Sequence, residues 1–380
     1  MYFIESMLKI NIATNRLLLL AGLPLILLYI NRLKLTNIDI TIFSLCLCCF
    51  ALGAWYLPEF ERAEIISIIG VVFPFVIGVI AYDLFHEDKF KKYLLIVCTF
   101  STLISLISVS EVFPSIFKIE SQLHMIEGVL VSRPEVFTDQ NFHVMYTFWL
   151  IPLYPFLTSR SQKVLWAVLV LANFYVLSAI QTRSGLLYSI FCILIFLHIF
   201  GKLKFHQIML GSIIFFTVLT LLYVLFFDFI VETTIYSRFT LDNGTGSHRV
   251  ESFTFWIYKL FDFSYWVPYG NSEFDYIYGG NIPHANITAF YLNGGIVALV
   301  AYFYLIVRPM VLSWVTSYKL KLSAEEMYVV VSAITIFAIQ SSLNLPYNEQ
   351  VWFWAGMTIA MLNSLKTRTV PINSMTRLKL

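Results

Sequence analysis

Charge is what this sequence has least of. Of its 380 residues only 13% are Asp, Glu, Lys or Arg, and 59% are hydrophobic. A soluble globular chain is about a quarter charged and about half apolar. The shortage excludes a soluble enzyme, and 35 Phe with 22 Tyr exclude a disordered chain. Cysteine is scarce too. The five are Cys46, Cys48, Cys49, Cys98 and Cys192, all inside apolar runs, which excludes a secreted disulfide scaffold. Three of them crowd at 46–49, but a zinc site needs about four converging N or S ligands. No Cys or His pair elsewhere completes such a set, so they read as small packing residues and no metal is expected. No internal repeat is visible, so the inverted-repeat signature of many transporters is missing. No small-residue cleavage site follows the first apolar run, so no removable signal peptide is expected. The net charge of +2 says little; its distribution says more.

What is present is a succession of apolar runs bounded by charges. Read at ~20 residues per crossing of ~30 Å of hydrocarbon, they predict about eleven membrane spans, within a range of ten to twelve. The runs cover 16–31, 38–57, 65–82, 93–110, 142–158, 164–180, 186–200, 207–231, 286–307, 327–343 and 350–365. The expectation is an all-α, multi-pass membrane protein forming a single integral domain over 1–380. Two polar stretches interrupt it, at 111–141 and, between the eighth and ninth spans, at 232–285.

Basic residues orient the spans. One set of loops and the tail carry sixteen: Arg32, Lys34, Lys89, Lys91, Lys92, Arg160, Lys163, Lys202, Lys204, Arg308, Lys319, Lys321, Lys366, Arg368, Arg377 and Lys379. The opposite set carries seven, although it contains both long loops: Arg62, Lys118, Arg133, Arg183, Arg238, Arg249 and Lys259. The richer side is expected to be cytoplasmic, so both long loops and the turn at 181–185 face outward. Lys9 and Arg16 precede the first run, and residues 1–31 read equally as a span, a hairpin or an interfacial segment.

Polar residues that persist against such a background mark function. The longest stretch runs from Glu232 to Pro283 and holds Arg238, Asp242, His248, Arg249, Glu251, Trp256, Lys259, Glu273 and Asp275. Loops of this length are functional or disordered, and its Trp, Tyr and Phe content argues for order. Val250, Phe253, Ile257 and Phe261 would share one face of a short helix. In the turn Gln181-Thr182-Arg183-Ser184-Gly185, Arg183 lies at the outward membrane boundary. Ser184 suits a cap of the next helix. A guanidinium there either snorkels or binds a diphosphate bidentately. Pro283-His284-Ala285-Asn286 opens the ninth span, putting His284 at an outward helix start where free N–H groups favour an anion. A headgroup-level structural His is the plainer alternative. Gly294-Gly295 further along suggests close packing. His86, His124, His198 and His206 read as structural, with His143 in reserve.

At these residues the chain resembles the O-antigen polymerase (Wzy-type) and O-antigen ligase superfamily of lipid-linked glycosyltransferases. The resemblance covers about 140–310 and has four parts in order. They are Arg183-Ser184-Gly185, the segment from Arg249 to Trp256, Pro268-Tyr269-Gly270, and His284 with Gly295 eleven residues on. Their order, side and spacing together carry the resemblance. Ala285 stands where ligase-like members often carry Asn, Ser or Gln, with Asn286 one place later, which favours the polymerase branch.

The resemblance implies a GT-C-like helical membrane enzyme of the bacterial inner membrane. It would join undecaprenyl-diphosphate-linked oligosaccharide repeats at the periplasmic face, without metal or other cofactor. No Asp-x-Asp stands in an outward loop. Its partners would be lipid-linked glycans and the bilayer, with room for a chain-length regulator and none for nucleic acid. Arg183 and Arg249, with Arg238, would hold the diphosphate. His284 would deprotonate the acceptor hydroxyl or bind phosphate, its unperturbed pKa of ~6.5 suiting either role. Glu251, Glu273 and Asp275 are alternative bases. Trp256, Trp266 and Tyr269 would stack on sugars, and Asn286 would add a polar contact. The competing readings are a ligase transferring glycan to lipid A-core and a transporter of lipid-linked oligosaccharide.

Overall fold

A computed structural model describes residues 33–55, 62–86, 88–109, 121–126, 129–134, 149–179, 183–201, 257–258, 261–268, 286–340 and 349–369, with single positions between 204 and 217. Helices dominate. In chain order they are α1 (Asn37–Trp55), α2 (Arg62–Leu84), α3 (Asp88–Val109), α4 (Arg160–Ala179), α5 (Arg183–Phe200), α6 (Asn286–Tyr302), α7 (Arg308–Lys319), α8 (Ala324–Gln340) and α9 (Glu349–Thr369). A π-helical turn, Phe303–Val307, joins α6 to α7, and short 3-10 helices stand at Ile151–Phe156 and Phe263–Trp266.

Three helices start on side-chain caps written into the sequence. At α1, the Thr36 backbone N–H donates to Asp39 Oδ2 at 2.9 Å and the Asp39 N–H donates to Thr36 Oγ1 at 3.2 Å. Ser323 and Glu326 make the same reciprocal pair at α8, at 2.7 and 3.2 Å. Ser159 and Gln162 do so at α4, at 3.3 and 3.2 Å. Each pair satisfies N–H groups that a helix start leaves without partners. The π turn also has a local cause. Pro309 cannot donate to the carbonyl of Leu305 and its ring crowds that oxygen, so the helix widens one turn before it.

Helix limits agree with the apolar runs to within a few residues in α1 to α5, α8 and α9. Three expectations need correction. Strands β1 (Ser121–Ile126) and β2 (Val129–Pro134) pair antiparallel, from Ser121 opposite Pro134 to Ile126 opposite Val129. The stretch read as a polar loop at 111–141 therefore contains an antiparallel strand pair. The run 142–158 does not end as an α-helix, because Pro152 and Pro155 sit in the 3-10 turn at Ile151–Phe156 and proline disrupts an α-helical ladder. The run ending at 307 continues through Arg308 to Lys319. Phe290–Lys319, 30 residues, is the one described stretch both long and apolar enough to cross a membrane; Asn37–Gly53, Val71–Leu84 and Tyr188–Phe200 are shorter apolar helices. The run 16–31 lies outside the described residues.

The chain divides into two compact units. In the first, α3 from Lys91 onward accompanies the hairpin, α4 and α5. Its helices bury a few polar groups beside Leu94, Leu169 and Val176 and leave apolar side chains exposed. Asn173 on α4 donates to Thr102 Oγ1 on α3 at 2.8 Å, and Thr102 donates to the Cys98 carbonyl at 2.8 Å. Both residues are buried, whereas Tyr93, Val97 and Phe100 on α3 and Val164, Val168, Leu171 and Tyr175 on α4 are exposed. These positions recur at three- and four-residue intervals, so each helix presents an apolar outer stripe.

The second unit holds α1, α2 and α6 to α9. Its core is aromatic. Phe43 stacks on Phe75 with centroids 4.2 Å apart, and Trp352, fully buried, lies 5.6 Å from Phe43 and 5.7 Å from Phe290. Glycine lets α2 and α9 close on one another. A Cβ on Gly78 would come within 2.0 Å of the Phe353 carbonyl oxygen, and one on Gly356 within 2.1 Å of the Phe75 carbonyl oxygen. Small residues at such a seam allow backbones to touch.

Candidate functional site

Two regions of the second unit concentrate features beyond packing. The first lies on α6 and the aromatic segment that precedes it in sequence. Gly295 takes φ +67 and ψ −163 within the helix, a backbone state that only glycine enters cheaply. The resulting kink receives the end of the 3-10 turn. A Cβ at Gly295 would meet the Trp266 carbonyl oxygen at 2.3 Å and the Pro268 nitrogen at 3.1 Å, and Gly294 faces the Phe50 ring. The expected close packing at Gly294-Gly295 is thus present, with the loop at Trp266–Pro268 as the partner of Gly295 and Phe50 as a partner of Gly294. On that loop Phe263 and Trp266 pack ring to ring, centroids 4.7 Å apart. Tyr258, Phe261, Phe263 and Trp266 all remain exposed.

Of the predicted site residues, Trp256, Tyr269, Glu273, His284 and Asn286 belong to the same unit as this region, whereas Arg183, Arg238, Arg249 and Glu251 belong to the other. Arg183 and Asn286 are the first residues of α5 and α6. Ser184 consequently lies in the first turn of α5 rather than ahead of it as a cap. His284, Arg249, Arg238, Glu251, Trp256, Tyr269, Glu273 and Asp275 lie outside the described residues. Of the helix expected over Val250–Phe261, Ile257 and Tyr258 are helical and Phe261 is in a turn. Two residues near His284 escaped the sequence reading. Thr288 and Asn293 on α6 are buried, at 1% and 0% exposure. The signal was there, since a polar side chain inside an apolar run costs free energy unless it has a partner.

The second region is a polar network at the opposite end of α1. Lys34 pairs with Asp83 at the end of α2 and lies over the Tyr82 ring, 5.2 Å from its centroid. Asp39 is 3% exposed. Its Oδ2 accepts from the Thr36 N–H and hydroxyl, at 2.9 and 2.7 Å, and from Asn363 Nδ2 at 3.1 Å. Asn363 also donates to the Lys34 carbonyl at 3.0 Å. From the π turn, the Arg308 guanidinium rests over the Tyr304 ring at 4.5 Å. The start of α1 adds its dipole to these three donors, so the carboxylate is compensated although buried. Beside it, α7 and α9 enclose a cavity of about 220 Å³ with Asp39, Arg308 and Lys366 among its lining residues.

The two regions differ in chemistry. The network ties three chain segments together and leaves its acid fully engaged. The α6 region offers a kinked helix, a docked loop and exposed aromatic rings. Among the described residues no three His, Cys, Asp or Glu side chains converge as a metal site would require. Comparison with protein-family models, with curated proteins and with solved structures gives no significant match.

Proposed function

We propose that this chain is a multi-pass protein of the bacterial inner membrane, with about eleven spans in a GT-C-like arrangement, and that it polymerises surface polysaccharide. In this reading it transfers a growing glycan from undecaprenyl diphosphate to the next lipid-linked repeat unit at the outer face, without a metal. Support for the membrane setting is the large apolar side chains that the helices leave exposed, among them Tyr93, Val97, Phe100, Val168 and Leu171, while Asn173, Thr102, Thr288, Asn293 and Asp39 are buried beside an apolar core. Five helices of 19 to 23 residues rise about 28–35 Å at ~1.5 Å per residue, which matches a hydrocarbon core.

The observation that carries the enzymatic reading is the docking of the Trp266–Pro268 backbone at Gly295. It ties the second half of the long loop to the helix that follows His284, and both partners belong to the motif series seen in the sequence. A loop fastened at that point supplies a fixed wall for chemistry that depends on positioning. His284 serves as base or phosphate ligand. Arg183, Arg249 and Arg238 neutralise the leaving diphosphate. Trp256, Trp266 and Tyr269 stack on sugar rings, while Glu251, Glu273 and Asn286 contact hydroxyls. Bilayer lipid and lipid-linked glycans are the partners, with a chain-length regulator compatible with the scheme.

The test is reconstitution of the purified protein with lipid-linked repeat units as sole substrate. A ladder of products carrying successive repeats supports the polymerase. Transfer only after lipid A-core is added assigns a ligase. Movement of intact lipid-linked repeat across the bilayer without new bonds assigns a transporter.

A further inference from the structure

We propose that the segment 257–268 lies in the bilayer interface, in the leaflet that the start of α6 enters, with the rings of Tyr258, Phe261 and Phe263 in lipid. The inference rests on the membrane setting proposed above but not on the polymerase chemistry. Three observations combine. First, these are the three most exposed large apolar side chains among the described residues, at 71%, 78% and 73%. Val267 beside them is exposed as well. Single exposed apolar residues are ordinary, but several bulky ones on so short a segment mark a surface that meets something other than water.

Second, the tether at α6 sets the depth of the segment. A Cβ on Gly295 would meet the Trp266 carbonyl oxygen at 2.3 Å and the Pro268 nitrogen at 3.1 Å, so the two backbones touch there. The apolar stretch long enough to cross a membrane begins at Phe290. Gly295 comes five residues later, which is about 8 Å along a helix that rises ~1.5 Å per residue. Interfacial segments bury their apolar face to a similar depth, ~5–10 Å into the boundary between headgroups and acyl chains. A segment tied to α6 at that level has lipid beside its exposed rings.

Third, the chemistry on both sides of the tether fits that level. Past Gly295, the exposed side chains of α6 and the π turn are Val297, Val300 and Phe303, all apolar. On the segment, the Trp266 ring packs on Phe263 with centroids 4.7 Å apart, joining the lipid-facing rings to the tether. Tyr and Trp suit an interface because each has an apolar body and a polar end. Asp262 is the one charged side chain described on the segment, and headgroup level keeps a carboxylate hydrated where the acyl core would not.

The test uses the full-length protein reconstituted in bilayers of phosphatidylethanolamine and phosphatidylglycerol. Phe261, Phe263 and, as a reference within the span, Val300 are replaced one at a time by trifluoromethylphenylalanine. Broadening of the fluorine signal is compared between a phospholipid carrying a nitroxide high on its acyl chain and a water-soluble gadolinium chelate. All three labels should respond more to the lipid nitroxide, those at Phe261 and Phe263 by at least about three-fold. Stronger broadening by the chelate at Val300 would overturn the membrane setting and this inference with it. A lipid response at Val300 with a stronger chelate response at Phe261 or Phe263 would overturn the inference alone. Labels at Phe261 and Phe263 that neither reagent reaches would also overturn it, since protein would then cover these rings.

Discussion

Two glycine contacts hold the second unit together, and they work differently. At the α2–α9 seam, Gly78 and Gly356 lie opposite carbonyl oxygens in two regular helices, at 2.0 and 2.1 Å from a notional Cβ. What is required there is absence of volume. At the α6 kink, Gly295 faces the Trp266 carbonyl at 2.3 Å but also takes φ +67. What is required there is both absence of volume and a backbone state closed to other residues. The seam joins elements that pack along their length. The kink joins a helix to a loop through a few backbone atoms. The first contact belongs to the scaffold and the second to the positioning of the loop at Trp266–Pro268, so damage to each should be read out by different measurements.

The largest effect is expected at the seam. Gly356→Ala puts a methyl group against the Phe75 carbonyl and the Val79 nitrogen, both backbone atoms that cannot rotate away. The helices must separate, at a cost of about 1–3 kcal/mol or more. Thermal unfolding in detergent should move down by several degrees, with loss of the protein from membrane fractions. A variant as stable as the parent would mean that the seam is looser than described.

Gly295→Ala should separate the two readouts. The strained φ costs about 1–2 kcal/mol, and the methyl group displaces the Trp266 carbonyl. The expected outcome is a protein still present in membranes, more readily cleaved by protease around residues 261–268, and making little polymer. Full product ladders from this variant would detach the kink from function. A smaller effect is expected away from both glycines. Asp39→Asn keeps the shape of the α1 cap but removes the charge that Thr36 and Asn363 serve, and should cost about 1 kcal/mol of stability. Smaller still is Ser323→Ala at the α8 cap, about 0.5–1 kcal/mol, with normal polymer in either case. Loss of polymer from either cap variant at normal expression would show that the contrast between scaffold and positioning is drawn in the wrong place.

Much of the scaffold was legible because an apolar run ended by charge is a physical statement about where a helix must stop. The run 38–57 became α1 at Asn37–Trp55, and 350–365 became α9 at Glu349–Thr369. The caps were legible too, as Thr36-x-x-Asp39 and Ser323-x-x-Glu326, but hydropathy alone passes over them because it scores residue type and not spacing. Pro152 and Pro155 likewise signalled the break in the run 142–158. The polar network was not legible. Asn363 and Lys34 meet across 329 positions, and nothing local in either segment announces the other. Thr288 and Asn293 stood out by polarity, yet two isolated polar residues name no partner. The candidate site was legible as motifs. The Gly294-Gly295 pair is where the fold touches it, while Arg249 and His284 rest on sequence position and chemistry.

The most direct test of the central claim is the surface-polysaccharide ladder of a host deleted for this gene and complemented with His284→Ala, run beside an immunoblot of membrane fractions. Loss of a base or phosphate ligand should lower the rate by about 10²-fold or more, and a structural histidine should cost only modest stability. The account predicts a single-repeat product at normal protein level, with the full ladder restored by the parent chain. A normal ladder from His284→Ala at normal level would contradict it.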